Sequence, residues 1–122
     1  MLNFFEKSYR FAKYAFALVA AANTTIANAS YYCNAQVTSV LVYADGGVNV
    51  LHSGRGDYTF ICNLNTSYKS VTTEACAGWL GIVLLAKKNN AALQFYYDGS
   101  GTCSTLLTYS NSPAPSYIGP VN

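Results

Sequence analysis

The stretch SVTTEACAGWLGIVLLAKKNN, residues 70–90, decides the fold because it carries the strongest helical pattern of the chain. Thr72 is a suitable N-cap, since its hydroxyl can accept a backbone N–H of the first turn. Glu74 then falls in the first turn and Lys87 and Lys88 in the last, so each charge lies at the end that the helix dipole favours. These signals predict a helix that begins after Thr72 and ends near residue 89.

The apolar residues of this stretch show which face of the helix is buried. The predicted core face consists of Cys76, Trp79, Leu80 and Val83, with Leu84 and Ala86 or Lys87 at its margin. No charged residue occurs from position 75 to 86. The sequence therefore predicts a helix that is buried over more than half of its circumference and is too short to span lipid.

The segment before the helix has the alternation of β-strands. Strands are predicted at 37–43 and 48–51, joined by the hairpin turn Asp45-Gly46-Gly47. In the next strand, YTFICNL (58–64), the pattern divides the side chains between two faces: Tyr58, Phe60, Cys62 and Leu64 on one, and Thr59, Ile61 and Asn63 on the other. We expect the face with Cys62 to meet the helix.

The segment after the helix completes the fold. AALQFYY (91–97) predicts a strand with Leu93, Phe95 and Tyr97 facing inward, and 98–109 predicts a turn and a short strand. The proline-bearing tail is expected to extend over the surface. The fold class is therefore α+β: a small twisted antiparallel sheet, or a partly open, OB-like barrel, of about five strands with one helix packed on it.

The first 29 residues have the pattern of a secretory signal peptide. A basic opening leads into YAFALVAAA and then into the cleavage pattern Ala27-Asn28-Ala29. A transmembrane anchor is the alternative, but the apolar run is far shorter than the roughly 20 residues that span a bilayer. We expect cleavage after Ala29, a single domain over 30–122, and a secreted or periplasmic location.

Four cysteines follow the predicted cleavage site, and an even number in an exported chain indicates two disulfides. Zinc is the competing use, but the chain has no C-x-x-C pair and a single histidine, so no metal site is predicted. Because the strand face with Cys62 should meet the helix face with Cys76, we predict the pairs Cys62–Cys76 and Cys33–Cys103. Loop entropy gives these roughly 3 and 4 kcal/mol of stability.

The charge pattern argues against a nucleic-acid partner. After residue 29 the chain has four basic and four acidic residues, so the net charge of +2 belongs to the signal segment. Binding to nucleic acid depends on a basic surface that neutralises several phosphates. The sequence predicts no such surface, and no membrane span in the mature chain.

The cysteines and their neighbours form a frame that covers the mature chain: Cys33, Gly47-Val48-x-Val50, Ile61-Cys62-Asn63-Leu64, Glu74-x-Cys76-x-x-Trp79, Ala86, Tyr96-Tyr97 and Cys103. This frame resembles a group of small exported proteins of Gram-negative bacteria that have no assigned role. It implies export and no particular activity. The order of strands, helix and aromatic strand is also similar to the OB-fold B subunits of AB5 toxins, but no sugar-binding motif of those proteins matches here.

The sequence offers little for catalysis, and we expect neither enzyme activity nor a cofactor. His52, Ser53 and Asp57 are the residue types of a hydrolytic triad, but a lone histidine beside a turn is ordinarily a surface residue. The carboxylates lie mostly in or beside predicted turns, where aspartate is common. The tripeptide Arg55-Gly56-Asp57 matches an integrin ligand, although glycine and aspartate are also what such a turn requires.

A binding role is the remaining prediction. Nine of the eleven tyrosines lie after residue 29, and tyrosine combines an apolar ring with a hydroxyl that suits sugars and protein partners. The predicted contact face lies opposite the helix and contains Asn49, Ile61, Asn63, Gln94 and Tyr96, together with Leu51 and Thr59. The alternative is that barrel closure or the tail covers this face. Two functions follow: a monomeric binding or inhibitory domain with an unknown protein or glycan partner, or a ring-forming, toxin-like subunit that binds host glycans.

Overall fold

The computed structural model describes residues 29–121, so the predicted signal peptide lies almost entirely outside the described residues. Residues 29–121 form a five-stranded antiparallel open sheet and one α-helix, which confirms the α+β prediction. The elements in chain order are β1 Ser30–Val42, β2 Gly47–His52, β3 Tyr58–Asn63, α1 Thr73–Asn89, β4 Ala92–Asp98, a 3-10 turn Cys103–Thr105, and β5 Tyr117–Pro120.

The strand order is β3-β2-β1-β4-β5, and the long strand β1 makes this order possible. The first half of β1 pairs with β4, whereas residues from Val37 to Val42 pair with β2. The chain around Tyr109 forms a parallel bridge with Thr59 at the free edge of β3. The described residues thus form an open antiparallel sheet, the first of the two forms that the sequence predicts.

The helix begins and ends where the sequence predicts. The Thr72 hydroxyl accepts the N–H of Ala75 at 3.2 Å, and Asn90 ends the helix in the left-handed conformation with φ of 52°. Cys76, Val83 and Ala86 are buried against the sheet. The outward half of the helix is exposed, however, so the prediction of burial over more than half of the circumference was wrong.

Two glycines lie on that exposed half of the helix. A side chain added at Gly78 or Gly81 would meet no atom within 4 Å, so neither glycine is needed to fit the sheet. An exposed glycine inside a helix costs about 1 kcal/mol relative to alanine. The packing of this single chain does not account for that cost.

The core lies between the helix and the inner face of the sheet. Leu93, Phe95 and Tyr97 face inward from β4, as predicted. Both predicted disulfides are present: Cys33–Cys103 fixes the 3-10 turn to β1, and Cys62–Cys76 fixes the helix to β3. Within the described range, no group of three or more histidine, cysteine, aspartate or glutamate side chains lies close enough to share a metal ion.

The faces of β3 were predicted wrongly because the strand contains a bulge. Asn49 pairs with Phe60 and Val48 pairs with Cys62, which leaves Ile61 as the extra residue. A bulge shifts the alternation by one position. Thr59 and Ile61 consequently lie in the interior with 1% and 0% exposure, while Tyr58 and Phe60 face outward.

The chain after β4 also differs from the prediction. Residues 98–109 contain a 3-10 turn rather than a short strand. The tail does not simply extend over the surface, because Tyr117–Pro120 forms β5 and pairs with β4. The backbone N–H of Ser116 donates to the carbonyl of Tyr96 at 2.7 Å and fixes the entry to this strand.

Candidate ligand-binding site

The residues of the predicted contact face do not form one surface. Ile61 is in the core, and Asn49 lies on the outer side by register but is only 1% exposed. Both side-chain polar atoms of Asn49 lack a hydrogen-bond partner among residues 29–121. Asn63 is committed to a turn, since its Oδ1 accepts the backbone N–H groups of Asn65 and Thr66. Leu51 is on the outer face and half-buried.

Gln94 and Tyr96 do lie on the outer face, where they belong to a row of aromatic side chains. Tyr32, Tyr96 and Tyr117 are direct cross-strand partners on β1, β4 and β5. The rings of Tyr96 and Tyr117 stack at 4.7 Å, and the Tyr117 hydroxyl donates to Gln94 Oε1 at 3.3 Å. The Oε1 atom of Gln94 and the ring of Tyr96 therefore already have partners within the chain, and the role of the two residues in binding stays a prediction.

A groove on a different part of the molecule has the volume and chemistry of a ligand site. It consists of two adjoining chambers of about 530 and 340 Å³ that both include Lys69 and Asp98 in their walls. We call it the Lys69–Asp98 groove. Its size falls in the range of small-molecule sites.

The first chamber lies at the start of α1. Trp79 forms part of its wall, together with the hydroxyl residues Ser70, Thr72 and Ser116. A tight turn shapes this wall, because Tyr68 and Val71 exchange backbone hydrogen bonds and Lys69 and Ser70 have positive φ angles of 43° and 71°. Positive φ is unfavourable for residues other than glycine, so the surrounding contacts must stabilise the turn.

The second chamber lies above the loop that follows β4. Tyr31 forms one wall, and Thr105, Leu106 and Asn111 contribute to the others. The Cys33–Cys103 disulfide positions this loop against the sheet. Burial raises the pKa of the Tyr31 hydroxyl above its usual value of 10.0, so it is a neutral hydrogen-bonding group at physiological pH.

The two charged groups of the groove are held in place by neighbouring polar atoms. The ammonium of Lys69 donates to the carbonyl of Ser112 at 2.7 Å and lies 5.3 Å from the centre of the Tyr68 ring. The carboxylate of Asp98 accepts the hydroxyl of Ser116 at 2.6 Å. A ligand in the groove would meet a cation, an anion and several hydroxyls between the rings of Tyr31 and Trp79.

The residues of the conceivable triad each form a hydrogen bond to a backbone N–H outside the triad. His52 is fully buried, which corrects the expectation of a surface residue, and its Nδ1 accepts the N–H of Gly54 at 3.2 Å. Ser53 Oγ accepts the N–H of Gln36, and Asp57 Oδ1 accepts the N–H of Tyr58. None of these hydrogen bonds joins one member of the triad to another.

The tripeptide Arg55-Gly56-Asp57 forms the turn between β2 and β3. Gly56 has φ of 75°, the conformation for which a turn uses glycine. The Arg55 Nε donates to the carbonyl of Leu106 at 2.6 Å, so this guanidinium is engaged within the chain. The arrangement favours a structural turn over an integrin ligand.

Comparison of the chain with models of known protein families gives no match, and comparison with curated proteins gives none either. Within residues 29–121, no helix has the length and hydropathy to cross a membrane.

Proposed function

We propose that this chain is an exported, non-enzymatic binding protein that holds a polar ligand in the Lys69–Asp98 groove. The observation that carries the proposal is the convergence of Lys69 and Asp98 between two half-buried aromatic rings in one groove. Opposite charges and an aromatic wall provide directed polar contacts and apolar area together, as ligand sites require.

Export is supported by the disulfides. Every cysteine within the described range is paired, and such pairing persists in oxidising compartments such as the periplasm or the extracellular medium. The predicted signal peptide agrees with this location.

An oligosaccharide is the ligand class that the lining favours. Hydroxyl side chains outnumber charged ones in the wall of the first chamber, and Trp79 supplies an aromatic surface beside them. Sugars present hydroxyls and apolar C–H faces, which match such a wall. A short polar peptide is the competing ligand, because its termini would also meet one charge of each sign.

The groove is tested by neutralising its two charges. We expect Lys69→Gln and Asp98→Asn each to weaken ligand binding by about tenfold to a hundredfold, the usual loss for a hydrogen bond to a charged group. A glycan array and a peptide library, probed with the exported protein, identify the ligand and distinguish the two classes. Titration calorimetry then gives the dissociation constant of each variant.

Lys87→Gln is the matched control, since it removes the same charge from the far end of α1, outside the groove. The proposal fails if neither library yields a saturable ligand, or if both groove variants bind as tightly as the parent.

Export is tested by the mass of the protein recovered from the periplasm or medium. We expect a chain that begins at Ser30 and has no free thiol, because the signal peptide is removed and both disulfides are closed. Intact mass with an alkylating agent, before and after reduction, checks both points. Modification before reduction, or a chain that retains residues 1–29, would contradict export in this form.

A further inference from the structure

The outward face of α1 is exposed and apolar, although it belongs to a small domain with a closed core. Along this face lie Ala77, Gly78, Gly81, Leu84 and Leu85, and Leu84 and Leu85 are 49% and 60% exposed. With about 100° of rotation per residue, the face points directly away from the buried side of the helix. Two glycines and two leucines exposed together are unusual for a surface that meets only water.

The face has an internal symmetry about Gly81. Seven positions before Gly81 is Glu74, and seven positions after it is Lys88. The small residues Ala77 and Gly78 lie on one side of Gly81, at the same distances as the leucines on the other side. The spacing of three to four residues keeps all these positions on one seam.

This symmetry makes the face complementary to itself in an antiparallel pairing. If two helices cross at Gly81, Glu74 meets Lys88 of the second copy, which joins opposite charges at both ends of the seam. In the same register, Ala77 and Gly78 meet the leucines of the second copy, so that small residues face large ones. Gly81 meets Gly81, where the absence of side chains lets the two backbones approach closely.

We propose that two copies of this protein associate through the outward face of α1, antiparallel and around a two-fold axis at Gly81. A two-fold interface requires a patch that is complementary to itself, and this face has that property in both charge and size. The seam from Glu74 to Lys88 is about 21 Å long, at 1.5 Å per residue. Such a contact lies at the small end of specific interfaces, so we expect a dissociation constant in the micromolar range.

The pairing is tested by exchanging its charges. In sedimentation experiments on the exported, disulfide-bonded protein, from about 1 to about 300 μM, we expect a monomer–dimer equilibrium with a micromolar dissociation constant. Glu74→Lys alone and Lys88→Glu alone should each weaken it about tenfold or more, because each places like charges opposite one another in the dimer. The double exchange should restore most of the affinity. Lys87→Glu is the control, since it changes the helix dipole as Lys88→Glu does but lies about 100° away from the seam.

The direction and centre of the pairing are tested by cysteine substitution. Gly81→Cys should give an intermolecular disulfide under oxidising conditions, because the two-fold axis brings this position close to its own copy. Ala77→Cys should not, because antiparallel helices separate the two copies of residue 77 by about 12 Å along the axis. Intact mass confirms that the native disulfides are retained in both variants.

A protein that stays monomeric throughout this concentration range overturns the proposal. So does a dimer whose affinity is not restored by the double exchange, or one in which Ala77→Cys crosslinks as well as Gly81→Cys. The groove variants Lys69→Gln and Asp98→Asn should leave the dimer unchanged, so this test is independent of the proposed ligand.

Discussion

Replacing both Cys33 and Cys103 with serine is expected to lower the free energy of unfolding by about 4 kcal/mol. The bond joins residues 70 positions apart, so its loss releases a long loop in the unfolded chain. Folded domains are stable by only about 5–15 kcal/mol, so this loss is a large share of the total. Cys62–Cys76 closes 14 positions, and the same reasoning gives about 3 kcal/mol for its double serine variant.

Urea denaturation of the parent and the two double variants measures these losses. The position of each bond adds a second expectation. Cys33–Cys103 fixes the loop beneath the second chamber of the groove, so its removal should also weaken ligand binding, measured where the variant is still folded. Equal stability of the parent and the Cys33→Ser/Cys103→Ser variant would show that this bond does not constrain the chain.

The helix was predictable because its signals lie within one short segment of the chain. The disulfides were predictable because Cys62 and Cys76 lie on apolar faces that were expected to pack against each other. Thr72, Glu74 and the two terminal lysines mark the ends of α1 within one segment, and the structure confirms them. Cys76 lies on the face of this helix that its apolar spacing indicates, opposite Cys62. Such signals do not depend on how distant parts of the chain come together.

The faces of β3 were not predictable in the same way. A strand with strict alternation and a strand with a bulge have similar sequences, and the bulge at Ile61 is set by pairing with β2. Its consequence is large because one extra residue moves every earlier side chain of β3 to the other face. This is why the predicted contact face lost Ile61 and Thr59 to the core.

The groove was missed for a different reason. Lys69 is in a turn before the helix and Asp98 is at the end of β4, and neither belongs to a motif. Tyr31 and Leu106 join them only because β1 pairs with β4 and the disulfide brings the following loop back. The sequence contains one weak signal of this site, a lysine in a short polar segment directly before a helix.

His52 combines a mispredicted position with a large expected effect. His52 is the first residue of the turn-like sequence His-Ser-Gly, but it is also the last residue of β2. Its ring stacks on the ring of Phe95, with 4.7 Å between the ring centres. Its Nε2 has no hydrogen-bond partner in the described part of the chain. Burial lowers the pKa of the imidazole from 6.5 to about 4. Protonation would also oppose the hydrogen bond from Gly54, since Nδ1 could no longer accept it.

The protein is therefore expected to lose stability as the pH falls from 6.5 to about 4. In this window the unfolded chain binds a proton at residue 52 that the folded chain does not, so acid favours unfolding, by up to about 3 kcal/mol. Above pH 6.5 and below pH 4 this histidine does not contribute to the dependence of the free energy of unfolding on pH.

The variant His52→Phe keeps an aromatic ring against Phe95 but removes the titrating group. The carboxylates are the same in both proteins, so their contribution cancels in the comparison. Urea denaturation at about pH 7.5, above the window, and at about pH 4.5, near its lower end, should show a smaller acid loss of stability in the variant. An equal loss in both proteins would mean that His52 can take up its proton in the folded state, which requires water or a partner at the buried Nε2.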